Sequence, residues 1–314
     1  MGQDKIELLS VDLLKSHRRY VKIVDYWCNL LNLQLGWSYI LDISWLLKKI
    51  DELKLPKGAV IMDAGAGSGV IQFIIASKGY NVLSVDFSDR QPLSRALSFF
   101  EIEQINSDRK FDHNYVNYLI SLRKELKEEG TSLEKKSIPN KFRQRVNRLK
   151  DLCSIAYYKG KAAKFQYGKL KYYKADIRQM DYLEDNSIDC IVSVSAVEHN
   201  DHKGVKDAVY EFIRILKSGS PMFITTSATD REDWFHEPCK GWCFSEKSLK
   251  ELFCLDNPGS NFRDFDTIFD KLKANQEMRA RLADFYYRSG NNGMPWGIWD
   301  PEYQPVGIVK IKQQ

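Results

Sequence analysis

The sequence predicts an α/β protein with a doubly wound, mostly parallel sheet of seven strands. Three observations support this class. Short apolar runs of strand length alternate along the chain with stretches in which apolar residues recur at helical spacing. Residues 60–88 contain a strand, a glycine-rich turn, a helix and a second strand in direct succession. A final apolar run at residues 305–311 follows helical sequence, and we expect it to join the sheet in the antiparallel direction.

The first βαβ unit reads VIMDAGAGSGVIQFIIASKGYNVLSVDFS and spans residues 60–88. Its first strand ends at Asp63, and a turn from Gly65 to Gly69 leads into a helix with regularly spaced apolar residues. The second strand stops at Asp86, an acid about twenty residues past the turn. This succession is the arrangement of a βαβ unit that binds an adenosine cofactor.

The other elements follow in chain order. Further strands are predicted at residues 170–177, 187–195, 221–226, 265–269 and 305–311, and helices at residues 203–217, 245–253 and 270–287. Ser245 is a candidate N-cap for the second of these helices. Residues 1–55 are predicted to form an N-terminal helical lid. Residues 56–314 are predicted to form one domain, which a helical insertion interrupts at about residues 88–168.

The spacing of the glycines distinguishes two classes of cofactor. In the dinucleotide fingerprint G-x-G-x-x-G, counted from Gly65, the third glycine would stand at position 70, where this chain has Val70. The chain has Gly69 instead, and Asp63 lies two residues before the turn. A carboxylate here would repel a phosphate and suits a cationic ligand. S-adenosylmethionine, which carries a sulfonium and an ammonium group, fits better than a nicotinamide dinucleotide, although a nicotinamide reductase remains an alternative.

With this turn and its flanking acids, the chain resembles the class I S-adenosylmethionine-dependent methyltransferases. The nearest resemblance is to the small-molecule enzymes that include the ubiquinone-biosynthesis methyltransferases, and it covers roughly residues 55–88 and 170–253. It implies a Rossmann-like sheet with the cofactor beyond the carboxyl ends of the strands. The residues expected at the cofactor are Asp63, Gly65, Ala66, Gly67, Gly69, Asp86, Phe87, Asp176, Ile177 and Ser195.

The resemblance also implies individual roles for some of these residues. Asp86 is expected to accept both ribose hydroxyls, with Phe87 on the adenine face. Asp176 is expected to receive the adenine amino group while the Ile177 amide meets a ring nitrogen. The backbone carbonyl of Ser195 is expected to meet the methionine ammonium.

Methyl transfer requires an acceptor lone pair about 3 Å from the methyl carbon. An oxygen acceptor must also lose a proton, and a histidine suits that task near neutral pH. Glu198 and His199 follow the strand at residues 187–195, and members of the resembled family often carry Glu-His at this place. His199 is the leading candidate for a general base. The alternative is a histidine that supports the loop.

Aromatic residues in two later loops and in the N-terminal region are candidates for binding the acceptor. They could equally plug the end of the sheet. Trp37 and Tyr39 are expected to lie nearest the site within the lid. The candidate acceptor-binding residues are Trp37, Tyr39, Trp234, His236, Trp242, Trp296 and Trp299. His236, Cys239 and Cys243 lack a clear fourth ligand, so we predict no metal site.

The insertion departs from the minimal pattern of the family, and we expect it to determine substrate choice. From Arg109 to Lys174 there are 18 Lys or Arg residues against 6 Asp or Glu residues, and residues 141–156 have the pattern of an amphipathic helix. Such a surface could meet nucleic acid, an anionic membrane or the phosphates of a substrate. The alternative is a solvated helix face that binds no ligand.

The predicted function is methyl transfer to a small acceptor, most simply a hydroxyl of a sugar, a phosphorylated sugar or another metabolite. The Asn/Asp-Pro-Pro-aromatic motif of enzymes that methylate base amino groups is missing, since the chain has Ser195-Ala196-Val197-Glu198. A methyltransferase or non-catalytic module that acts on RNA remains the alternative. No run of about eighteen apolar residues occurs, so no membrane span is expected. The six scattered cysteines are typical of reduced thiols, and we expect a cytoplasmic protein.

Overall fold

The computed structural model describes residues 3–93, 95–106, 166–288 and 293–313. The strands are β1 (Lys5–Leu8), β2 (Val60–Ala64), β3 (Asn81–Asp86), β4 (Ile102–Ile105), β5 (Leu170–Lys174), β6 (Cys190–Val194), β7 (Pro221–Ala228), β8 (Trp234–His236), β9 (Gly241–Phe244), β10 (Gly259–Ser260) and β11 (Gln304–Ile311). The helices are α1 (Leu13–Ser16), α2 (Arg18–Leu31), α3 (Tyr39–Leu53), α4 (Ile71–Ser77), α5 (His202–Ile215), α6 (Glu246–Leu252), α7 (Phe265–Lys273) and α8 (Gln276–Ala280). Most of the basic insertion, including residues 141–156, lies outside the described residues.

One mixed sheet organises the fold. Its strand order is β10-β1-β11-β7-β6-β2-β3-β5-β4, and β8 and β9 extend from the end of β7. The strands from β7 through β6, β2, β3 and β5 to β4 pair in parallel. The last strand, β11, pairs antiparallel with β7, as predicted. The chain order reverses at β2, which lies between β3 and β6, and ligands of such sheets bind at this switch point.

Helices cover both faces of the sheet, so the α/β class and the doubly wound arrangement are confirmed. Successive residues of a strand point to opposite faces. Ile61 of β2 packs with the helices α2, α3 and α4 on one face. The next residue, Met62, packs with α5, α6 and α7 on the other face. Each face of the sheet therefore has its own apolar core.

The N-terminal region is not purely helical, which corrects the sequence prediction. β1 lies within the sheet and pairs antiparallel with β11 and in parallel with β10. Buried Asp4 anchors it, since its carboxylate accepts hydrogen bonds from Lys310 Nζ at 2.9 Å and from the Ile311 amide at 3.0 Å. The N-terminal region is therefore part of the sheet as well as a helical cover.

The predicted strand at residues 265–269 is wrong, because this segment forms the start of α7. Phe265, Ile268 and Leu272 are buried, and these positions follow helical spacing. The predicted helix at residues 270–287 is also wrong as one element. It breaks at Asn275, whose side chain accepts a hydrogen bond from the Met278 amide at 2.8 Å and so begins α8.

Five short strands were not predicted, namely β1, β4, β8, β9 and β10, and each has two to four residues. β4 falls within the insertion that was expected to be helical, where it pairs in parallel with β5. Runs this short are too brief to show the alternation of apolar and polar residues that is typical of a strand. They form strands because neighbouring strands pair with them. The N-cap prediction for α6 agrees with the structure: the Ser245 hydroxyl accepts the Ser248 amide at 3.3 Å. In the described part of the chain, no helix is both long and apolar enough to cross a membrane.

Candidate active site

Backbone hydrogen bonds to β3 fix the glycine turn after β2. The amides of Gly65 and Ala66 both donate to the Val85 carbonyl, at 2.9 and 3.0 Å. Gly65 has φ +68° and Gly67 has φ +49°, a region that side chains rarely adopt. A Cβ on Gly65 would stand 2.4 Å from the Cβ of Ala196, in the loop after β6. The turn and this loop therefore touch only because position 65 lacks a side chain.

A cavity of about 730 Å³ lies beyond this turn, at the carboxyl ends of β2, β3, β5 and β6. All ten residues predicted for the cofactor line it, including Ala66, Gly69 and Phe87, whose ring is 78% exposed. Further lining residues that the sequence analysis missed are Leu33, Gln34, Leu35, Ile43, Arg178 and Asn200. Leu33, Gln34 and Leu35 belong to the loop between α2 and α3. This loop has no sequence motif, and the packing of the two helices places it at the cavity.

Asp63 is the most deeply buried acid of this cavity, with 1% of its surface exposed. Its Oδ2 atom has no hydrogen-bond partner within the described residues. Burial raises the pKa of Asp63 to about 7; Arg90 opposes the rise and Asp86 adds to it. A buried carboxylate with an unused oxygen favours a cationic ligand at this place.

Arg90 is a residue of the site that the sequence analysis missed. Its guanidinium donates to the Gly67 carbonyl at 2.8 Å and to the Ser84 hydroxyl and carbonyl at 2.8 and 2.6 Å. Its guanidinium carbon lies 4.6 Å from the ring centroid of Tyr172. Arg90 thus holds the glycine turn and supplies a positive charge near Asp63.

We expect Arg90→Met to lower the free energy of unfolding by about 3 kcal/mol, because it leaves buried acceptors unpaired. It should also weaken cofactor binding, since the turn loses its support. Chemical denaturation and calorimetry with S-adenosylhomocysteine would measure both effects. Arg263→Met, at an exposed position, is the control and should change neither quantity. Equal stability of the two variants would contradict this role of Arg90.

The predicted ribose and adenine acids already have partners in the protein. Asp86 accepts the Gly67 amide through Oδ2 at 2.8 Å and the Ser88 amide through Oδ1 at 2.8 Å. Asp176 is held by Arg178 in a two-point ion pair with distances of 2.9 and 2.6 Å. The hydrogen bond from Arg178 lowers the pKa of Asp176. Both carboxylates are therefore oriented in advance, each with lone pairs left for a ligand.

A second, inner pocket of about 200 Å³ adjoins the larger cavity, and Tyr39, Ser195 and His199 line both. Trp37, Tyr39 and His236, all predicted for the acceptor, lie in its wall. Its other main residues were not predicted to bind the acceptor; they are Ser38, Ser227, Pro238, Cys239, Cys243, Tyr286 and Tyr303. The two tyrosines gave no signal in the sequence, since nothing there separates them from tyrosines of the core.

Four of the predicted aromatic residues do not line either pocket. Trp299 packs behind Trp37, with ring centroids 5.8 Å apart, and donates to the Lys273 carbonyl at 2.9 Å. Trp234 lies edge-on to His236. Trp242 packs against His202 and Phe235, and Trp296 is 66% exposed. The structure therefore does not bring these four tryptophans to either pocket.

His199 stands on the single helical turn Val197–His199 after β6. Its Nδ1 atom lies 2.8 Å from the Lys240 carbonyl, which can only accept a hydrogen bond. Nδ1 therefore carries the proton, and in the neutral ring the lone pair is on Nε2. A histidine with this tautomer can accept a proton from a ligand in either cavity.

Glu198 and Asp42 form a second group of buried acids, below Ser195. Glu198 is 4% exposed and Asp42 is fully buried. Burial raises the pKa of both carboxyl groups, and the Ser195 hydroxyl beside them moderates the rise. Each has one oxygen without a hydrogen-bond partner in the described residues. Asp42, on α3, was not predicted.

The ring of His236 makes its hydrogen bonds with other residues of the protein. Its Nε2 atom lies 2.7 Å from the Glu302 carboxylate, and its Nδ1 accepts the Cys239 amide at 3.3 Å. Both ring nitrogens are thereby used. In the described part of the chain, no group of three or more His, Cys, Asp or Glu side chains is arranged to hold a metal ion.

A family model described as a methyltransferase domain matches residues 147–224 of this chain. The match includes β5 and β6, whose ends border the larger cavity. This match, at the border of the larger cavity, supports an S-adenosylmethionine-dependent methyltransferase of class I. Its cofactor is S-adenosylmethionine, as the spacing of the glycines and the position of Asp63 before the turn predicted. The match begins after the glycine turn, so the turn supports the same conclusion independently.

No curated protein sequence shows significant similarity to this methyltransferase. Several solved structures are similar in fold. The (4+2)-cyclase SpnF has 10% identity and a TM-score of 0.47, with 100% of this chain and 99% of the other covered. A SAM-dependent methyltransferase from Methanosarcina mazei has 15% identity and a TM-score of 0.40, covering 84% and 97%. The geranyl diphosphate C-methyltransferase from Streptomyces coelicolor has 12% identity and a TM-score of 0.40, covering 99% and 88%.

Proposed function

We propose that this methyltransferase binds S-adenosylmethionine in the larger cavity and methylates a small acceptor in the inner pocket. The observation that carries the proposal is the junction of the two cavities at Tyr39, Ser195 and His199. An acceptor in the inner pocket would meet the reactive end of the cofactor at this junction. The small volume of the pocket supports a small acceptor.

The lining residues of the larger cavity fit the cofactor. The free oxygen of buried Asp63 suits an ammonium or sulfonium charge. We assign Asp86 to the ribose hydroxyls, with Phe87 beside the adenine. Asp176 and the Ile177 amide are assigned to the adenine edge, and the Ser195 carbonyl to the methionine ammonium. When bound, the cofactor supplies an electrophilic methyl group.

His199 is the proposed general base. Its protonated Nδ1 is held by the Lys240 carbonyl, which leaves Nε2 to take the acceptor proton. This fits the predicted hydroxyl acceptor, because a hydroxyl must lose its proton as the new bond forms. A phosphate-bearing acceptor finds no support in the inner pocket, since none of its described lining residues is Lys or Arg. Nucleic acid as the acceptor rests on the basic insertion alone.

The proposal is tested with labelled S-adenosylmethionine and an extract of small metabolites. Transfer of label to a small molecule is expected, together with binding of S-adenosylhomocysteine by calorimetry. Label that appears only in RNA, or binding of NADH without binding of S-adenosylhomocysteine, would refute the proposal.

His199→Gln is expected to lower kcat by about 10²- to 10⁴-fold, the usual contribution of a general base. Affinity for S-adenosylhomocysteine should stay within about twofold, because the imidazole acts on the acceptor proton. His202→Gln is the control, since His202 pairs with Asp233 outside both cavities. If both variants keep the activity of the unmodified protein, His199 only supports its loop.

A further inference from the structure

The inner pocket has an unbalanced charge. Glu198 belongs to its wall, and Asp42 lies behind Ser195 within the electrostatic reach of Glu198. The described lining residues include no Lys or Arg, and their only groups that can become cationic are His199 and His236. His236 already faces the carboxylate of Glu302 at 2.7 Å. The side of the pocket at Glu198 and Asp42 is therefore acidic.

Glu198 is built into this position with one of its two carboxyl oxygens unpaired. The side chain is 96% buried, and Oε2 has no hydrogen-bond partner in the described residues. A buried carboxyl group in this state costs free energy that a ligand can recover. Gly241 packs against it, since a Cβ there would lie 3.1 Å from Glu198 Cγ. The carboxyl group is thus held at the pocket and cannot swing out to solvent freely.

Aromatic rings form the rest of the wall, and hydrogen bonds fix them. The Trp37 amide donates to the Tyr286 hydroxyl at 3.1 Å, and the Trp37 indole donates to the Tyr303 hydroxyl at 3.1 Å. The rings of Trp37 and Tyr303 have centroids 5.0 Å apart and tilt by 49°. Tyr39 completes this wall. Fixed aromatic faces around a carboxylate are the surroundings that bind organic ammonium ions.

We propose that the acceptor is an amine, bound as its ammonium ion against Glu198 and the aromatic wall, and that its nitrogen receives the methyl group. This inference rests on the proposed function: it keeps the small acceptor in the inner pocket and replaces the predicted hydroxyl group by an amine. Burial disfavours the charged form of Glu198, and a bound ammonium would restore that form. A neutral hydroxyl gives no such compensation, and a phosphate or carboxylate would be repelled by the carboxylate.

The protons and electron pairs of the methyl transfer are accounted for by the amine, His199 and the cofactor. The ammonium gives one proton to Nε2 of His199, and the freed nitrogen lone pair forms the new carbon–nitrogen bond. The bond between methyl carbon and sulfur breaks, and sulfur keeps the electron pair as a neutral thioether. The product is a methylated ammonium ion, and the proton passes from exposed His199 to solvent. Glu198 pairs with the positive charge before and after transfer.

The test is calorimetry on the full-length protein saturated with S-adenosylhomocysteine, using three probes with one carbon skeleton. Phenethylamine, 2-phenylethanol and phenylacetate differ only in a cationic, neutral or anionic end group. We expect phenethylamine to bind at least about tenfold more tightly than the alcohol, and phenylacetate to bind weakest. An alcohol that binds as tightly as the amine, or no preference among the probes, would overturn the inference.

Two variants show whether Glu198 causes the preference. Glu198→Gln keeps the shape of the side chain and should lower phenethylamine affinity about tenfold or more, with 2-phenylethanol unchanged. Glu251→Gln is the matched control on α6, where the side chain is exposed, and should keep the preference. Equal preference in the two variants would overturn the role of Glu198. The probe series on the unmodified protein remains decisive even where Glu198→Gln does not fold.

The order of the titrations separates the two proposals. Failure of S-adenosylhomocysteine to bind would refute the proposed function, and this inference with it. Binding of S-adenosylhomocysteine with a preference for the alcohol would leave the proposed function intact and overturn the amine alone.

Discussion

Asp63→Asn is expected to stabilise the protein without cofactor and, at the same time, to weaken its binding of S-adenosylhomocysteine. The carboxyl group is fully buried, and desolvation raises its pKa from 3.8 to about 7. A raised pKa for an acid means that the folded state holds its proton more tightly than the unfolded state. The charged form therefore costs stability, and the cost grows as the pH rises from about 4 to above 7.

Each pKa unit corresponds to about 1.4 kcal/mol, so the cost at pH 8 is on the order of 4 kcal/mol. The neutral Asn side chain avoids it. Urea denaturation at several pH values should show a gain in the free energy of unfolding that is largest at pH 8 and disappears near pH 4. Affinity for S-adenosylhomocysteine should fall on the order of a hundredfold at pH 8, because the ligand ammonium loses its buried partner.

Asp233→Asn is the control, and we expect it to change the free energy of unfolding in the opposite direction. Burial raises the pKa of Asp233, but hydrogen bonds from Ser248, Ser245 and His202 outweigh burial and keep it below the ordinary value. Its substitution should lower stability at neutral pH, and the loss should shrink as the pH falls through the folded-state pKa. An Asp63→Asn variant that binds S-adenosylhomocysteine as tightly as the unmodified protein would show that Asp63 does not face the cofactor charge.

Gly65→Ala is expected to have the second largest effect, a loss of about 3 kcal/mol or more in the free energy of unfolding. The added Cβ would meet the Ala196 Cβ at 2.4 Å, so the turn and the loop after β6 must move apart. The backbone also stands at φ +68°, which costs a side chain about 1–2 kcal/mol. Because Ala196 and its neighbour Ser195 line the larger cavity, where we propose that the cofactor binds, binding should weaken as well.

Gly67→Ala separates the two causes. Its φ is +49°, but a Cβ there would meet nothing within 4 Å. It should therefore lose only about 1–2 kcal/mol from backbone strain. The double variant Gly65→Ala with Ala196→Gly should recover part of the contact penalty. If Gly65→Ala and Gly67→Ala unfold at the same denaturant concentration, the contact with Ala196 does not explain the glycine.

Local patterns explain where sequence reasoning succeeded. The glycine turn and the acids at the ends of β2, β3 and β5 belong to strand–turn units of consecutive residues, and all ten predicted cofactor residues reach one cavity. The N-cap at Ser245 is equally local. The same reasoning failed for α7, because a five-residue segment with three apolar residues does not distinguish a strand from the buried face of a helix. It failed for β1, whose four residues are strand only because β11 lies beside them.

The sequence by itself determined the fold class and the cofactor, because a parallel strand, its turn and its helix are specified by neighbours in the chain. Only the tertiary structure decided the inner pocket. Trp37, Glu198 and Tyr303 come from three distant segments and meet where the N-terminal loop, the end of β6 and the approach to β11 converge. An aromatic or acidic residue shows no sign in the sequence of whether it will face a core or a cavity, since packing between distant elements makes that choice.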